Sequence, residues 1–569
     1  MDLLIKDRIS EWTNYTNLDQ NLKDELASMN EDTLIDAFYD DIAFGTGGLR
    51  GIIGVGTNRM NVYIVRKTTL GYYQYLNERF KNLKTTGIVI SYDCRHFSET
   101  FAKAAAEVFA SRGVKVYLFS SLRPTPELSF AIRYLKASGG IMITASHNPP
   151  NYNGYKVYDE EGCQLVPDLA DQVIDKINQI KDYFTIEVKP FDILVSEGLI
   201  ELIDNFVDGP YLKRVEGVIK KLMLPKLNNE NLRIVFTPLH GTASVHLSKI
   251  LKNQGFDVIE VKEQMIPDPD FKTVKSPNPE DPSAFTYAIK LGKETNADLL
   301  IATDPDADRM GVAVKQNGEY ILLTGNQTGA IILEFLAKFK PRNKQGVVFN
   351  TIVSSNIAKA ICEKYDLKLV QTLTGFKFIG EQAKLLEKTN EDFFFGYEES
   401  YGYVIEDFVR DKDALQSALV IAIIASYYKD QGLTLVDSLE NIFKEYGYFV
   451  EDVHNIVLDG IEGKKKIEAI MRYFQKQKLL NMANKNIIMI EDYDCKLRYE
   501  KDKVTKLTLP QSLVLKYTFD DGGWWALRPS GTEPKLKIYM AVKGINKENA
   551  LMFLKTLKAE ILAIIERIK

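Results

Sequence analysis

Short apolar runs recur along the chain, and longer stretches with helical apolar spacing separate them. Residues 87–92 read as a buried strand. An alanine-rich helix over 99–111 follows, and Gly113 stops it. Residues 114–119 form the next strand, 126–137 the next helix, opened by Pro126, and 140–144 a third strand. The order returns at 232–302, with strands over 232–237, 257–261 and 297–302 and helices over 244–254 and 283–295. It returns again with strands over 346–349, 367–371 and 392–395 and helices over about 355–365 and 378–388. Strands separated by helices predict parallel pairing and an α/β fold. Each pass ends in a polar loop, and ligands of such sheets bind beyond the carboxyl ends of the strands.

The two ends of the chain differ. Residues 5–40 look helical, with Trp12, Leu22 and Leu26 on apolar faces. After helices over 417–428 and 464–477, strands are grouped at 486–490, 506–508, 512–519, 524–527 and 537–542, and an amphipathic helix closes the chain at 547–568. Grouped strands with a terminal helix predict an α+β domain. The expected layout is three consecutive mixed or parallel βαβαβ domains, at 1–205 (with a helical extension over about 1–40), 206–320 and 321–440, then an α+β domain at 441–569.

Chemistry collects in the loops. Thr144-Ala145-Ser146-His147-Asn148-Pro149-Pro150 is a polar turn after an apolar strand and exposes one hydroxyl, as a presented nucleophile would be. A turn hydroxyl or a helix cap is the alternative. No Gly-x-Ser-x-Gly elbow surrounds Ser146, and the five histidines are scattered, so a serine hydrolase is disfavoured. Residues 151–156 read as a polar turn ending in Lys156. His240, after another strand end, is as readily a loop-stabilising residue as a catalytic one. Asp304, Asp306 and Asp308 alternate after a strand, which places three carboxylates on one side of the backbone and calls for a cation. An EF-hand fails, because its glycine position holds Arg309 and its glutamate position Lys315. All-oxygen ligands favour Mg²⁺.

Three further loops complete the set. Phe44-Gly45-Thr46-Gly47-Gly48-Leu49-Arg50-Gly51 surrounds one arginine with glycines and could grip an anion, or be a plain turn; no strand precedes it, so it is not a dinucleotide fingerprint. Glu398 and Glu399 lie in a Gly-x-Glu-Glu-Ser turn, as acid/base groups or as acceptors for sugar hydroxyls. Arg410-Asp411-Lys412-Asp413 reads by itself as a solvated turn. Arg528-Pro529-Ser530-Gly531-Thr532-Glu533-Pro534-Lys535 offers the donors a phosphate needs, or a simple turn.

Bulk properties narrow the setting. The chain has 569 residues, is 45% hydrophobic and 26% charged, and carries a net charge of −5 without a basic block, so neither nucleic acid nor a membrane surface is indicated as a partner. Four dispersed cysteines with no Cys-x-x-Cys, an N-terminus without an apolar h-region and no membrane-length apolar run point to the cytoplasm.

Taken jointly and in order, the loops at 44–50, 144–149, 304–309, 396–400 and 528–535 resemble those of the α-D-phosphohexomutase superfamily, and the Gly-Tyr-Glu-Glu-Ser-Tyr-Gly-Tyr wording is most similar to its phosphoglucomutase/phosphopentomutase branch. The resemblance implies four domains around a central cleft and an intramolecular phosphotransferase that interconverts glucose 1-phosphate and glucose 6-phosphate. Pentose or mannose phosphates are alternative substrates on the same scaffold. It implies a phosphorylated Ser146 that holds one Mg²⁺ together with Asp304, Asp306 and Asp308, and glucose 1,6-bisphosphate as activator. Arg50, Lys156 and His147 are the candidates for proton transfer, because Tyr401, Gly402 and Tyr403 stand where some members carry a histidine. Thr46, Arg309, Thr374, Gly375, Glu398, Ser400 and Lys412 would meet the substrate, and Arg528, Ser530, Gly531 and Thr532 its non-reacting phosphate. A monomer or weak dimer acting on small sugar phosphates is expected. An aspartyl-nucleophile phosphatase built on Asp304 and a non-catalytic sugar-phosphate binder are the rival readings.

Overall fold

The computed structural model describes residues 2–45, 47–458, 460–501, 503–529 and 535–568. The chain divides into two compact units, the first made of 1–325, 339–344 and 376–434, the second of 326–338, 345–375 and 435–569.

The first unit holds a seven-stranded sheet. Its strands are β1 (Phe44–Gly45), β2 (Gly48–Ile52), β3 (Ile88–Tyr92), β4 (Val116–Leu118), β5 (Gly140–Ile143), β6 (Tyr152–Tyr158) and β7 (Ile200–Leu202), in the order β1-β2-β6-β5-β3-β4-β7. β3 is parallel to β4 and β5, as the first pass predicts, and β4 is parallel to β7. β6 then returns antiparallel to β5, with Met142 opposite Lys156. Residues 152–156 are therefore strand, where the sequence reads as a turn. Tyr155 and Val157 are fully buried on one face, and the neighbouring polar positions serve other purposes. Asn153, for example, donates to the His96 carbonyl at 2.9 Å. Helices Val62–Arg79, Ser98–Ala110 and Pro167–Gln179 share one apolar core with this sheet, while Thr125–Leu135 packs on β3 and β5.

A second sheet in the same unit contains β8 (Arg233–Thr237), β9 (Asp257–Glu260), β10 (Leu299–Thr303), β11 (Met310–Gln316) and β12 (Glu319–Leu323), in the order β12-β11-β10-β8-β9. β8, β9 and β10 are parallel; β11 and β12 are antiparallel additions. Asn317 and Gly318, both at positive φ, close the two-residue turn between them. The helix Ala414–Lys429 is apolar all round, and its first thirteen residues are buried. At the amino end, Leu3–Asn14, Gln20–Ser28 and Glu31–Phe38 are helices, as expected, packed around Trp12, Phe38 and Tyr63.

In the second unit, Gln345–Thr351 pairs parallel with Lys368–Thr372. The C-terminal part is an antiparallel sheet with strands Tyr448–Val457, Lys535–Gly544, Trp524–Pro529, Leu515–Phe519, Lys485–Asp492, Leu497–Glu500 and Lys503–Lys506. Helices Gly460–Gln477 and Lys547–Arg567 cover it, and Trp525 stacks on Tyr517 at 4.3 Å in their shared core. The ten-residue strand Tyr448–Val457 is missing from the sequence reading because it is largely polar over 451–455 and its exposed positions include Val453 and Val457, so no apolar alternation marks it. No helix among the described residues is long and apolar enough to cross a membrane.

Glu127, on helix Thr125–Leu135, is fully enclosed beside Asp208, which Arg123 grips, and 3.2 Å from His246 Nε2. Burial pushes its carboxyl up to about 7, with His246 opposing. The folded state then keeps a proton that the unfolded chain has already released. Stability should fall by about 3 kcal/mol as pH rises through the interval between the two values. Glu127→Gln is expected to remove that slope in urea unfolding measured from pH 4.5 to 7.5.

Candidate active site

The serine loop is the connection from β5 to its antiparallel neighbour β6. Ser146 sits in it with φ 51°, the left-handed region that a non-glycine residue enters at a cost. Thr144 Oγ1 accepts the Ser146 N–H at 2.8 Å. Arg95 braces the rest. Its Nη1 donates to the carbonyls of Pro149 and Tyr152 at 2.8 and 3.0 Å, and its Nη2 to those of Ser146 and Asn148 at 2.6 and 2.5 Å. Asp93 pairs with Arg95 Nε at 3.4 Å, and both side chains are fully buried. The backbone of the serine loop is thus fixed by one guanidinium.

The aspartate loop joins β10 to β11. It is a turn, with Ala307 at φ 53°, so its carboxylates converge by folding back and not by strand alternation. Asp304 Oδ1 accepts the N–H groups of Asp308 and Arg309 at 3.1 and 3.0 Å. Thr125, Thr242 and Ala414 each donate a backbone N–H to the loop, to Asp306 O, Pro305 O and Ala307 O at 2.9, 2.8 and 3.1 Å. Gly241 lies so close that a Cβ there would stand 2.4 Å from Pro305 Cα. The three carboxylates are buried, and one ligand atom from each lies within 4.8 Å of the others.

These two loops meet. Ser146 Oγ donates to Asp304 Oδ2 at 2.8 Å and lies 3.2 Å from His147 Nδ1. Lys156 Nζ donates to Asp306 Oδ2 at 2.8 Å and stands 3.4 Å from Asp308 Oδ2, while Lys412 Nζ pairs with Asp308 Oδ2 at 3.1 Å. Burial works against the charge of both lysines, but the aspartates outweigh it and hold both as ammonium ions. Burial and the neighbouring carboxylates Asp308 and Asp306 push Asp304 well up. At Asp306 burial is overcome by Lys156, and the group is held below its usual range. His147 is kept neutral by burial and by the cations Arg309, Arg50, Arg95 and Lys156 around it. Asp306 Oδ1 and Asp308 Oδ1 are buried and make no hydrogen bond. Orphaned hard oxygens in an anionic nest fit a divalent cation.

Arg50, Arg309, Glu398 and Ser400 belong to the same unit as this centre. Arg50 donates to Asn148 Oδ1 at 3.0 Å from an exposed position on β2. Arg309 donates to Glu280 at 2.5 Å. Glu398 ends the strand Glu391–Glu398 and adds negative charge near Lys412 and Arg309. Ser400 is half-buried in the turn that follows. His240 proves structural: its ring nitrogens bond Ile266 O and Thr273 Oγ1 at 2.8 and 2.7 Å. Thr374, Gly375 and Arg528 belong to the second unit, where Arg528 Nη1 approaches Tyr539 Oη at 3.5 Å. Thr46, Ser530, Gly531 and Thr532 lie outside the described residues.

The solvated turn expected at 410–413 is instead buried. Arg410, Asp411 and Asp413 are 1%, 2% and 0% exposed. Arg410 pairs with Asp407 and Glu387, Asp411 accepts from Tyr158 Oη at 2.8 Å, and Asp413 caps the helix Ala414–Lys429 and accepts from Tyr211 Oη at 3.1 Å. Those partners hold Lys412 in position. Arg95 and Thr125 bond the serine and aspartate loops and are absent from the sequence reading. The available signal was that both follow strands of the sheet that delivers Ser146. Arg95→Ala should unmoor the serine loop and lower kcat/KM by about 10²-fold or more, the scale of an ångström-sized misplacement of a reacting group. A melting curve and steady-state kinetics check this.

Known proteins similar to this chain give its family. Residues 41–184, 210–318 and 324–446 match in order the families described as phosphoglucomutase/phosphomannomutase, alpha/beta/alpha domains I, II and III. A phosphoglucomutase of Staphylococcus epidermidis is 38% identical over 530 residues, covering 92% of this chain and 95% of its own. One of Staphylococcus aureus is 40% identical over 515 residues, covering 89% and 91%. The open form of parafusin, a phosphoglucomutase from Paramecium, shares the fold with a TM-score of 0.68 at 19% identity, covering 93% of this chain and 96% of its own. The chain belongs to the phosphoglucomutase/phosphomannomutase family of the α-D-phosphohexomutase superfamily.

Proposed function

We propose that this phosphohexomutase, an isomerase-class phosphotransferase by its family, interconverts glucose 1-phosphate and glucose 6-phosphate through phosphorylated Ser146 and a glucose 1,6-bisphosphate intermediate. One observation carries the reading: the Ser146 hydroxyl, presented at a left-handed turn, touches the buried triple-aspartate loop at 2.8 Å. Relatives named phosphoglucomutase along most of the chain supply the sugar.

Asp304, Asp306, Asp308 and the phosphoserine would hold Mg²⁺. Bound there, Mg²⁺ would neutralise charge on the phosphoryl oxygens and on the serine oxygen as its bond to phosphorus breaks. The transfer breaks that bond and forms one from phosphorus to a sugar hydroxyl oxygen, and the hydroxyl proton ends on Ser146 Oγ. Ser146 Oγ and His147 Nδ1 are close enough to exchange a proton, and the surrounding cations keep His147 neutral and able to accept one. Lys156, held as an ammonium ion, suits charge stabilisation or proton donation better than the role of base. After the sugar turns around, the reverse transfer regenerates phosphoserine. Glucose 1,6-bisphosphate would phosphorylate a free Ser146 and so act as activator.

Glu398 and Ser400, with Thr374 and Gly375, are assigned to the sugar hydroxyls, and Arg50, Thr46, Arg309 and Lys412 to anionic parts of the substrate. Arg528, Ser530, Gly531 and Thr532 are assigned to the phosphate that does not react. The domain boundaries proposed for these roles are 1–205, 206–320, 321–440 and 441–569.

Ser146→Ala should take up no label from ³²P-labelled glucose 1,6-bisphosphate and should lose at least about 10⁴-fold in kcat, as removal of a nucleophile does. Retained phosphoryl transfer would overturn the reading. A panel of 1-phosphates should give kcat/KM highest for glucose over mannose and ribose. His147→Gln is expected to lower kcat by about 10²-fold or more. Because its cationic neighbours depress His147, wild-type activity should show no limb near the ordinary histidine pKa of about 6.5. A pH–rate profile from pH 5.5 to 8 checks this.

A further inference from the structure

We infer that Thr125 is a positioning residue for the metal loop: its hydroxyl fixes the orientation in which the Asp306 carboxylate presents its free oxygen to the cation. The inference rests on the reading of Asp304, Asp306 and Asp308 as the metal ligands.

Thr125 opens the helix Thr125–Leu135 and is fully buried. It grips Asp306 twice. Its N–H donates to the Asp306 carbonyl at 2.9 Å, and its Oγ1 donates to Asp306 Oδ2 at 3.0 Å. Lys156 Nζ donates to the same Oδ2 at 2.8 Å. Both donors therefore sit on one carboxylate oxygen. The other, Oδ1, is buried without a hydrogen bond. A carboxylate turns easily about its last side-chain bond, which is broad and two-fold. Here a half-turn only exchanges two equivalent oxygens, whereas any partial turn would pull one oxygen away from both of its donors. The ligand's orientation is thus set before a cation arrives, the work that partners behind metal ligands commonly do.

Thr125 can do this because its own frame is rigid. Arg123, two residues earlier, is bidentate to Asp208 at 2.9 and 3.0 Å. Further along the helix, Ser129 Oγ donates to Gly162 O at 2.6 Å and accepts the Arg410 N–H at 2.8 Å. Arg133 Nη1 donates to Asp407 O at 2.5 Å. Lys156 alone is a poorer constraint, because its ammonium also stands 3.4 Å from Asp308 Oδ2 and can shift toward it.

Thr125→Val keeps the shape and removes the donor. Mn²⁺ titration followed by electron paramagnetic resonance on dephosphorylated enzyme reads the metal affinity directly. Steady-state kinetics across Mg²⁺ concentrations gives a second readout. Thr125→Val is expected to weaken Mn²⁺ binding by about 10- to 100-fold and to raise the apparent KM for Mg²⁺ more than it lowers kcat at saturating metal. Thr125→Ser should restore affinity to within a few-fold. If Thr125→Val folds poorly, Thr125→Ala compared with Thr125→Ser makes the same contrast. Asp306→Ala separates the two levels of the argument. If wild type and Asp306→Ala bind Mn²⁺ alike, the metal-loop reading fails. If Asp306→Ala loses the metal while Thr125→Val binds as wild type, or Thr125→Ser is as weak as Thr125→Val, the role given to the Thr125 hydroxyl is overturned.

Discussion

Three carboxylates buried within reach of one another repel strongly, and the architecture of the first unit answers that repulsion. Two ammonium groups, from Lys156 and Lys412, come from segments far apart in the chain and face the same loop. Backbone N–H groups from Thr125, Thr242 and Ala414 fix the loop's own carbonyls. Asp304 takes two N–H bonds and the serine hydroxyl. Arg309, 3.8 Å from Asp308 Oδ1, adds a third and more distant cation, yet Asp306 Oδ1 and Asp308 Oδ1 still make no hydrogen bond. Those two oxygens suit a further cation of high charge density.

Topology brings these groups together economically. Both reactive loops are connections from a parallel strand to an antiparallel neighbour, β5 to β6 and β10 to β11. The return strand does more than close the sheet. In β6 the face opposite Tyr155 and Val157 carries Lys156, so one strand supplies core on one side and a charge for the site on the other. Helix Thr125–Leu135 ties the loops together, with Thr125 on the aspartate loop and Ser129 beneath Arg410.

Much of this was legible in the sequence. Ser146 and the three aspartates are contiguous motifs that directly follow apolar strands, so local pattern suffices for them. The parallel strands of each pass are short apolar runs and were found. The return strands were not. Asn153, Gly154 and Lys156 give β6 the look of a turn, and the largely polar run over 451–455 hides Tyr448–Val457. The burial of 410–413 depends on Tyr158, Tyr211 and Glu387, which no local window contains. Arg95 offers only its place after a strand as a signal, because it recognises main-chain carbonyls, which carry no sequence signature.

The left-handed backbone at Ser146 has a consequence beyond catalysis. Any L-residue pays about 1 kcal/mol or more to sit there, and glycine alone is relieved of it. Stability alone would favour glycine at position 146, so a serine there would be kept for what its hydroxyl does. The strain is local, held by the braces of Arg95 and Thr144.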